Sequence, residues 1–241
     1  VTGALVGVGV GPGDPDLLTL RGQRALRTAD VVFVPVAESS PGGPPAADEP
    51  GYAERGVAAH VGSDATVVRL AFALAAQRRA ASWRGAAATV AAAVADGRTA
   101  AFATLGDPSV YSTFTYLARQ VRALVPGLRV STVPGVTAAQ ELACRHQVVL
   151  AEHDEPLTVV PVTAGLDRVS QALSAGGTVV LYKGGRWSPQ LRELLAEHGA
   201  LDRAVYGARL GHARQELRHT VPDTPAPYLS TVIVLPERRA E

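Results

Sequence analysis

Apolar residues fall along this chain in short β-type runs, with glycine- and proline-rich turns between them and helical periodicity after the turns. At the start, ALVGV reads as a strand, GVGPGDPD as a turn, LLTLRGQRALRTA as a helix and VVFVPV as a continuous β-branched strand. Strand, crossover helix and strand in that order predict a parallel sheet. From Glu38 to about Gly62 the pattern dissolves, and four prolines between 41 and 50 forbid regular structure. That stretch is read as a long surface loop placed to act as a lid. Helical pattern returns in VVRLAFALAAQRR and in RGAAATVAAAVADG, which Gly97 is expected to close in left-handed conformation.

A strand TAAFATL follows, then the turn GDPSVYS, helix TFTYLARQVRAL, strand LRVSTV, turn PGVT and helix AAQELACRHQ. Near LAEHDEP the pattern breaks, which suggests two α/β domains, residues 1–150 and 151–241. The second begins with strand LTVVPV, helix LDRVSQALSAGG and strand TVVLYK. In SPQLRELLAEHG, Ser188 is expected as N-cap, Pro189 at the first helical position and Gly199 just past the end. Strands AVYGARL and LSTVIVLP close the chain, and no internal repeat is visible.

Composition narrows the chemistry. Among 241 residues, 47% are hydrophobic and 19% charged, far from the disordered range. The net charge of +1 gives no basis for a non-specific grip on nucleic acid. Lys183 is the single lysine and is followed by glycine, so there is no Gly-Lys-Ser/Thr phosphate loop. One cysteine, Cys144, excludes an internal disulfide framework and any multi-cysteine metal site. The histidines include no pair three to five residues apart, so no metal site is expected. No apolar stretch approaches the roughly 18 residues of a membrane span, and no cationic leader precedes the first apolar run, so a cytoplasmic protein is expected. The absence of methionine implies that the initiator lies outside this sequence.

The loop GVGVGPGDP invites a dinucleotide reading, but Asp14 stands where the third glycine belongs, and its charge would repel a phosphate. LGDPSVYST also follows an apolar strand, which places Asp107 at a strand's carboxyl end, where open α/β sheets hold ligands. Asp107 would suit a cationic or donor-rich ligand there; alternatively it caps the next helix. VPGVTAAQ is a third turn opening a helix at the same sheet edge, or an ordinary strand-to-helix turn.

Together GVGVGPGDPDLLTLRGQRALRTADVVFVP, LGDPSVYSTFTYL, VPGVTAAQELA, LAEHDEPLTVVP and VVLYKGG resemble the tetrapyrrole methyltransferase family over nearly the whole chain. GDPSVYSTFTYL and HDEPLTVVP most resemble the branch that methylates precorrin-2, or its cobalt chelate, at ring carbon 20 in cobalamin biosynthesis. The resemblance implies two α/β domains with a cofactor cleft between them, a homodimer, and S-adenosylmethionine held as much by backbone as by side chains. The implied cofactor contacts are Pro12, Gly106, Asp107, Val110, Thr137 and Ala138, then Tyr182, Lys183, Leu210, Ser230 and Thr231. Relatives tend to carry methionine where this chain has Tyr182 and Lys183.

Methyl transfer of this kind is mainly a matter of alignment and needs no catalytic triad. Tyr111 and His212 are the candidates for the base that removes a proton from the methylated carbon; water or a substrate carboxylate are the alternatives. Arg21, Arg186 and Arg209 border the candidate loops and would take the substrate's carboxylates. Methylation of uroporphyrinogen or of a protein histidine, and a non-catalytic cofactor sensor, are the competing functions.

Overall fold

The computed structural model describes residues 3–37, 51–73 and 76–238. Two compact units divide the chain, Val1–Thr137 and Ala138–Glu241. In the first, strands β1 (Ala4–Gly9), β2 (Val31–Ala37), β3 (Thr66–Phe72), β4 (Thr99–Thr104) and β5 (Arg129–Val133) form one sheet in the order β3-β2-β4-β1-β5. Every pairing in it is parallel.

Side chains alternate across this sheet as a two-residue period requires. Val31, Phe33, Ala100 and Phe102 pack with α3 (Ala76–Ala95) and α4 (Phe114–Leu124) on one face. Val32, Val34, Ala101 and Ala103 pack with α1 (Leu20–Arg27) and α2 (Tyr52–Ala58) on the other. Adjacent strands β1 and β4 therefore send their following helices to opposite faces. Their carboxyl ends frame the switch point at which such sheets bind ligands.

Two sequence expectations fail here. The proline-rich part of the expected lid, residues 38–50, lies outside the described residues. Within its remainder, however, residues 52–58 form α2, because Ala53 and Val57, one helical turn apart, both reach the core at 3% and 1% exposure. Its Glu54 accepts Gly51 N–H at 3.2 Å and pairs with Arg69 at 2.9 Å. The start of VVRLAFALAAQRR, read as helical, instead lies in β3, TVVRLAF. Its backbone pairs with β2 from Val31↔Thr66 to Ala37↔Phe72, and Leu70 and Phe72 alternate into the core. Tertiary pairing overrides a short ambiguous pattern.

The second unit opens with α5 (Ala138–His146), followed by β6 (Leu157–Pro161), α6 (Leu166–Ser174), β7 (Thr178–Tyr182), α7 (Ser188–Glu197), β8 (Ala204–Ala208), β9 (Glu216–Arg218) and β10 (Ser230–Val234). The boundary falls ahead of α5 rather than at residue 150, because Ala139, Leu142 and Ala143 pack on Val180, Val205 and Ile233 of the second sheet. Helices α6 and α7 cover the other face through Val169, Leu191 and Leu195. Strand order is β6-β7-β10-β8-β9, with β10 antiparallel to β7 and β8. Ser188 lies inside α7 instead of capping it. A turn of 3₁₀ helix, Gly185–Trp187, runs straight into the α-helix, and the Ser188 hydroxyl donates to Gly185 C=O at 2.8 Å.

Candidate functional site

Three glycine turns meet at the carboxyl ends of β1, β4 and β5. Gly106 N–H donates to Gly11 C=O at 2.8 Å, and both residues are left-handed, with φ 70° and 78°. A Cβ on Gly9 would lie 2.6 Å from Gly106 O and 2.6 Å from Gly135 N, so the turns touch through bare backbone. Only glycine permits so close an approach. Helix α1 does not start at this loop. Asp14 caps the short turn Pro15–Leu17 by accepting Asp16 N–H at 3.0 Å, and Thr19 accepts Gly22 N–H at 3.0 Å to begin α1. The helix amides that would hold a pyrophosphate are thus displaced from the glycines, which removes the dinucleotide reading.

Asp107 clasps the junction. Its Oδ1 accepts Ser109 N–H at 2.7 Å and the Ser109 hydroxyl; its Oδ2 accepts Gly135 N–H at 2.9 Å. It does not cap α4, whose entry is closed by Ser112 Oγ accepting Phe114 N–H at 3.0 Å. Burial pushes the Asp107 carboxyl up, but the bonds from the Ser109 hydroxyl, Gly135 N–H and Ser109 N–H outweigh it and hold the pKa below the ordinary carboxylate value. The group stays anionic. Pro12 is buried between two glycines of the first turn, and Val110 N–H donates to Asp107 C=O at 3.2 Å. Thr137 closes the third turn at the end of the first unit.

In the second unit, β7 and β8 run parallel to each other, so their carboxyl ends and the start of β10 share one sheet edge. Thr231 pairs with Tyr182 and Ser230 with Ala208, which gathers Tyr182, Lys183, Arg209, Leu210, Ser230 and Thr231 there. The Tyr182 hydroxyl accepts Ala139 N–H at 3.1 Å, tying Ala138 and the α5 start to the same edge. Leu210 buries its side chain in the α5 core. Arg186 holds its guanidinium 5.1 Å above the Trp187 ring, and Arg21 is exposed in the first turn of α1.

Three of the sequence candidates, Tyr111, Lys183 and Arg209, are left-handed with φ 50°, 59° and 53°. Non-glycine residues in this region cost roughly 1–3 kcal/mol each and gather at functional sites. Burial raises the Tyr111 phenol pKa, so the group keeps its proton at neutral pH. His212 Nδ1 accepts Arg214 N–H at 2.9 Å, so the neutral ring carries its proton on Nε2. Tyr111 thus presents a phenol O–H rather than a phenolate, and Nδ1 of His212 is engaged by a backbone donor.

Sequence reasoning missed the roles of Gly135 and Ser109. The Pro-Gly step and the Asp-x-Ser spacing were the available signals, but the partner of Gly135 lies in another turn. Among the described residues, no group of three or more His, Cys, Asp or Glu could hold a metal ion, and no helix is long and apolar enough to cross a membrane. A cavity of about 310 Å³ lined by Leu173, His198 and Arg203 lies at the opposite end of the second sheet and shares no residue with these clusters.

A parallel sheet with three fused glycine turns at its switch point, followed in the same chain by a mixed sheet, defines a two-unit α/β protein whose first unit has the strand-end geometry at which such sheets hold small molecules. Residues 4–224 match the tetrapyrrole (corrin/porphyrin) methylases, and the chain belongs to that family. It is 31% identical to a precorrin-2 C(20)-methyltransferase of Sinorhizobium sp, over 96% of this chain and 95% of that one. It is 30% identical to the cobalt-precorrin-2 C(20)-methyltransferase of Salmonella typhimurium, over 97% of each. Its fold superposes on uroporphyrin-III C-methyltransferase from Thermus thermophilus, solved with S-adenyl homocysteine, at a TM-score of 0.65, with 19% identity and coverage of 96% and 97%.

Proposed function

We propose that this chain transfers a methyl group from S-adenosylmethionine to ring carbon 20 of precorrin-2, or of its cobalt chelate, in cobalamin biosynthesis. The reading rests on likeness over nearly the full length to two methyltransferases of that regiochemistry. The junction of the first unit fits such a cofactor. A Cβ on Gly106 would have Val136 O as its nearest outside atom, 3.9 Å away, so its backbone is open to a ligand. The anionic Asp107 favours a cationic group over a phosphate.

When bound, S-adenosylmethionine supplies an electrophilic methyl on a sulfonium. The chain's own task is alignment, for which Pro12, Gly106, Asp107, Val110, Thr137 and Ala138 are proposed as cofactor contacts. Tyr182, Lys183, Leu210, Ser230 and Thr231 are proposed as the contacts from the second unit. Arg21, Arg186 and Arg209 would orient the substrate by its carboxylates. Positioning of this kind contributes about 7–11 kcal/mol to a barrier. With Tyr111 protonated and Nδ1 of His212 occupied, loss of the ring proton falls to water or to a substrate carboxylate. A cytoplasmic homodimer belongs to the same proposal.

The test is incubation with methyl-labelled cofactor and precorrin-2, cobalt-precorrin-2 or uroporphyrinogen III, followed by NMR of the products. Label at ring carbon 20 of a precorrin-2 species is expected, with uroporphyrinogen III largely unmodified. Label at a pyrrole carbon would move the chain to another branch of the family. No label on any tetrapyrrole, with S-adenosylhomocysteine still bound in calorimetry, would make it a sensor.

A further inference from the structure

The hairpin following β8 concentrates positive charge in a chain that is otherwise nearly balanced. Residues 209–219 carry Arg209, His212, Arg214, Arg218 and His219 against the single acid Glu216. Pairing of Ala208 with Glu216 and of Tyr206 with Arg218 puts Glu216 and Arg218 on one face of the sheet. There Glu216 Oε1 accepts from Arg209 Nη1 at 3.3 Å and Oε2 accepts from Arg218 Nη2 at 3.2 Å. One carboxylate holds two guanidiniums side by side and cancels only one of their charges. Among the described residues no other carboxylate reaches either, and their side chains are 34% and 52% exposed. A guanidinium has five N–H donors in a planar fork, so each keeps donors free for a second carboxylate. Arg209 N–H donates to Leu229 C=O at 3.1 Å, which ties the segment preceding β10, with Tyr228 61% exposed, to the backbone of Arg209.

We infer that Arg209 and Arg218, set side by side by Glu216, form a seat for the carboxylate rim of an acidic macrocycle, with Tyr228, on the segment tied to Arg209, offering ring surface. This rests on the function proposed above and deepens it by adding Arg218, Glu216 and Tyr228 to the substrate contacts. A fork-shaped cation pair suits carboxylates with bidentate geometry, and a partly exposed seat makes binding sensitive to ionic strength. A pair serving only to join β8 to β9 would be indifferent to any ligand.

The experiment titrates uroporphyrin III, a stable octacarboxylate, into the full chain and follows porphyrin fluorescence at several salt concentrations. The wild type should bind, with affinity falling as salt rises. Arg218→Gln and Arg209→Gln should each weaken binding roughly tenfold, flatten the salt dependence and leave S-adenosylhomocysteine affinity unchanged. Arg218→Lys keeps the charge without the fork and should retain the salt dependence with intermediate affinity, which covers the case in which a glutamine variant fails to fold. The seat is overturned if the wild type does not bind the porphyrin, or if the variants bind it as the wild type does. A wild type that binds uroporphyrin through these arginines yet methylates no precorrin-2 species leaves the seat standing and removes the function proposed above.

Discussion

Gly135→Ala is expected to lower the melting temperature by on the order of 10 °C and to reduce methyl transfer by about 100-fold. The new Cβ would collide with the Gly106 carbonyl oxygen and lie 2.7 Å from both C and Cα of Gly9. All three obstacles are backbone, so no side chain can swing aside. Overpacking of this kind costs about 1–3 kcal/mol. Relief requires the turn after β5 to retreat, which breaks the 2.9 Å bond from Gly135 N–H to Asp107 and adds about 1–3 kcal/mol. At roughly 2–4 °C per kcal/mol for a chain of this size, the melting shift follows. The activity loss has a separate cause, because a displacement near 1 Å at a positioning element costs on the order of 100-fold in rate.

Gly85→Ala is the matched comparison. Gly85 lies exposed inside α3 with nothing within 4 Å of an added Cβ, so alanine there should stabilise by about 1 kcal/mol through helix propensity. Thermal denaturation and single-turnover methyl transfer on both variants test the contrast. A Gly135→Ala protein with wild-type melting and turnover would sink the account of the fused turns.

The parts of this fold that the sequence made legible are those whose signal is local. β1 and β4 are apolar runs closed by Gly-x-Gly and Gly-Asp-Pro, and Gly97 ends α3 left-handed at φ 81° as its position required. α2 was hidden because the residues it sends into the core, Ala53 and Val57, are small and set in glycine- and proline-rich surroundings. β9 is three residues long and only Leu217 in it is apolar, too little for a period to register. At the site, the glycine turns could be picked out one by one, whereas their fusion depends on backbone atoms far apart in sequence. The link between Asp107 and Gly135 N–H is of that kind. So is the approach of His146 to His219, with ring centroids 4.8 Å apart, which no spacing rule within one helix could anticipate. The Arg209–Glu216 contact depended on recognising a hairpin whose second strand left no signal.

Asp107→Ala should destabilise the protein and weaken cofactor binding together, since the carboxylate both closes its own turn and holds the turn after β5. Each hydrogen bond to a charged group contributes about 1.5–3 kcal/mol, and this carboxylate, 8% exposed, accepts from Ser109 N–H, the Ser109 hydroxyl and Gly135 N–H. A total loss of roughly 3 kcal/mol at neutral pH is expected, because the three share one anchor and do not add fully. Asp107→Asn should recover little. Its amide keeps one acceptor oxygen, but its NH₂ must then face a Ser109 or Gly135 donor. The pH dependence has a definite sign. The folded pKa lies below the unfolded value of about 3.9, so the carboxylate's contribution is fully present above that value and is lost as pH falls through the lower folded pKa. Urea denaturation of wild type and Asp107→Ala should therefore show a stability gap that is constant from neutrality down to about pH 5 and closes in stronger acid. A gap that widens in acid would mean that the neutral acid is the favoured form in the fold. Wild-type stability combined with weakened S-adenosylhomocysteine binding would mean that the carboxylate reaches the ligand directly and that the clasp contributes nothing.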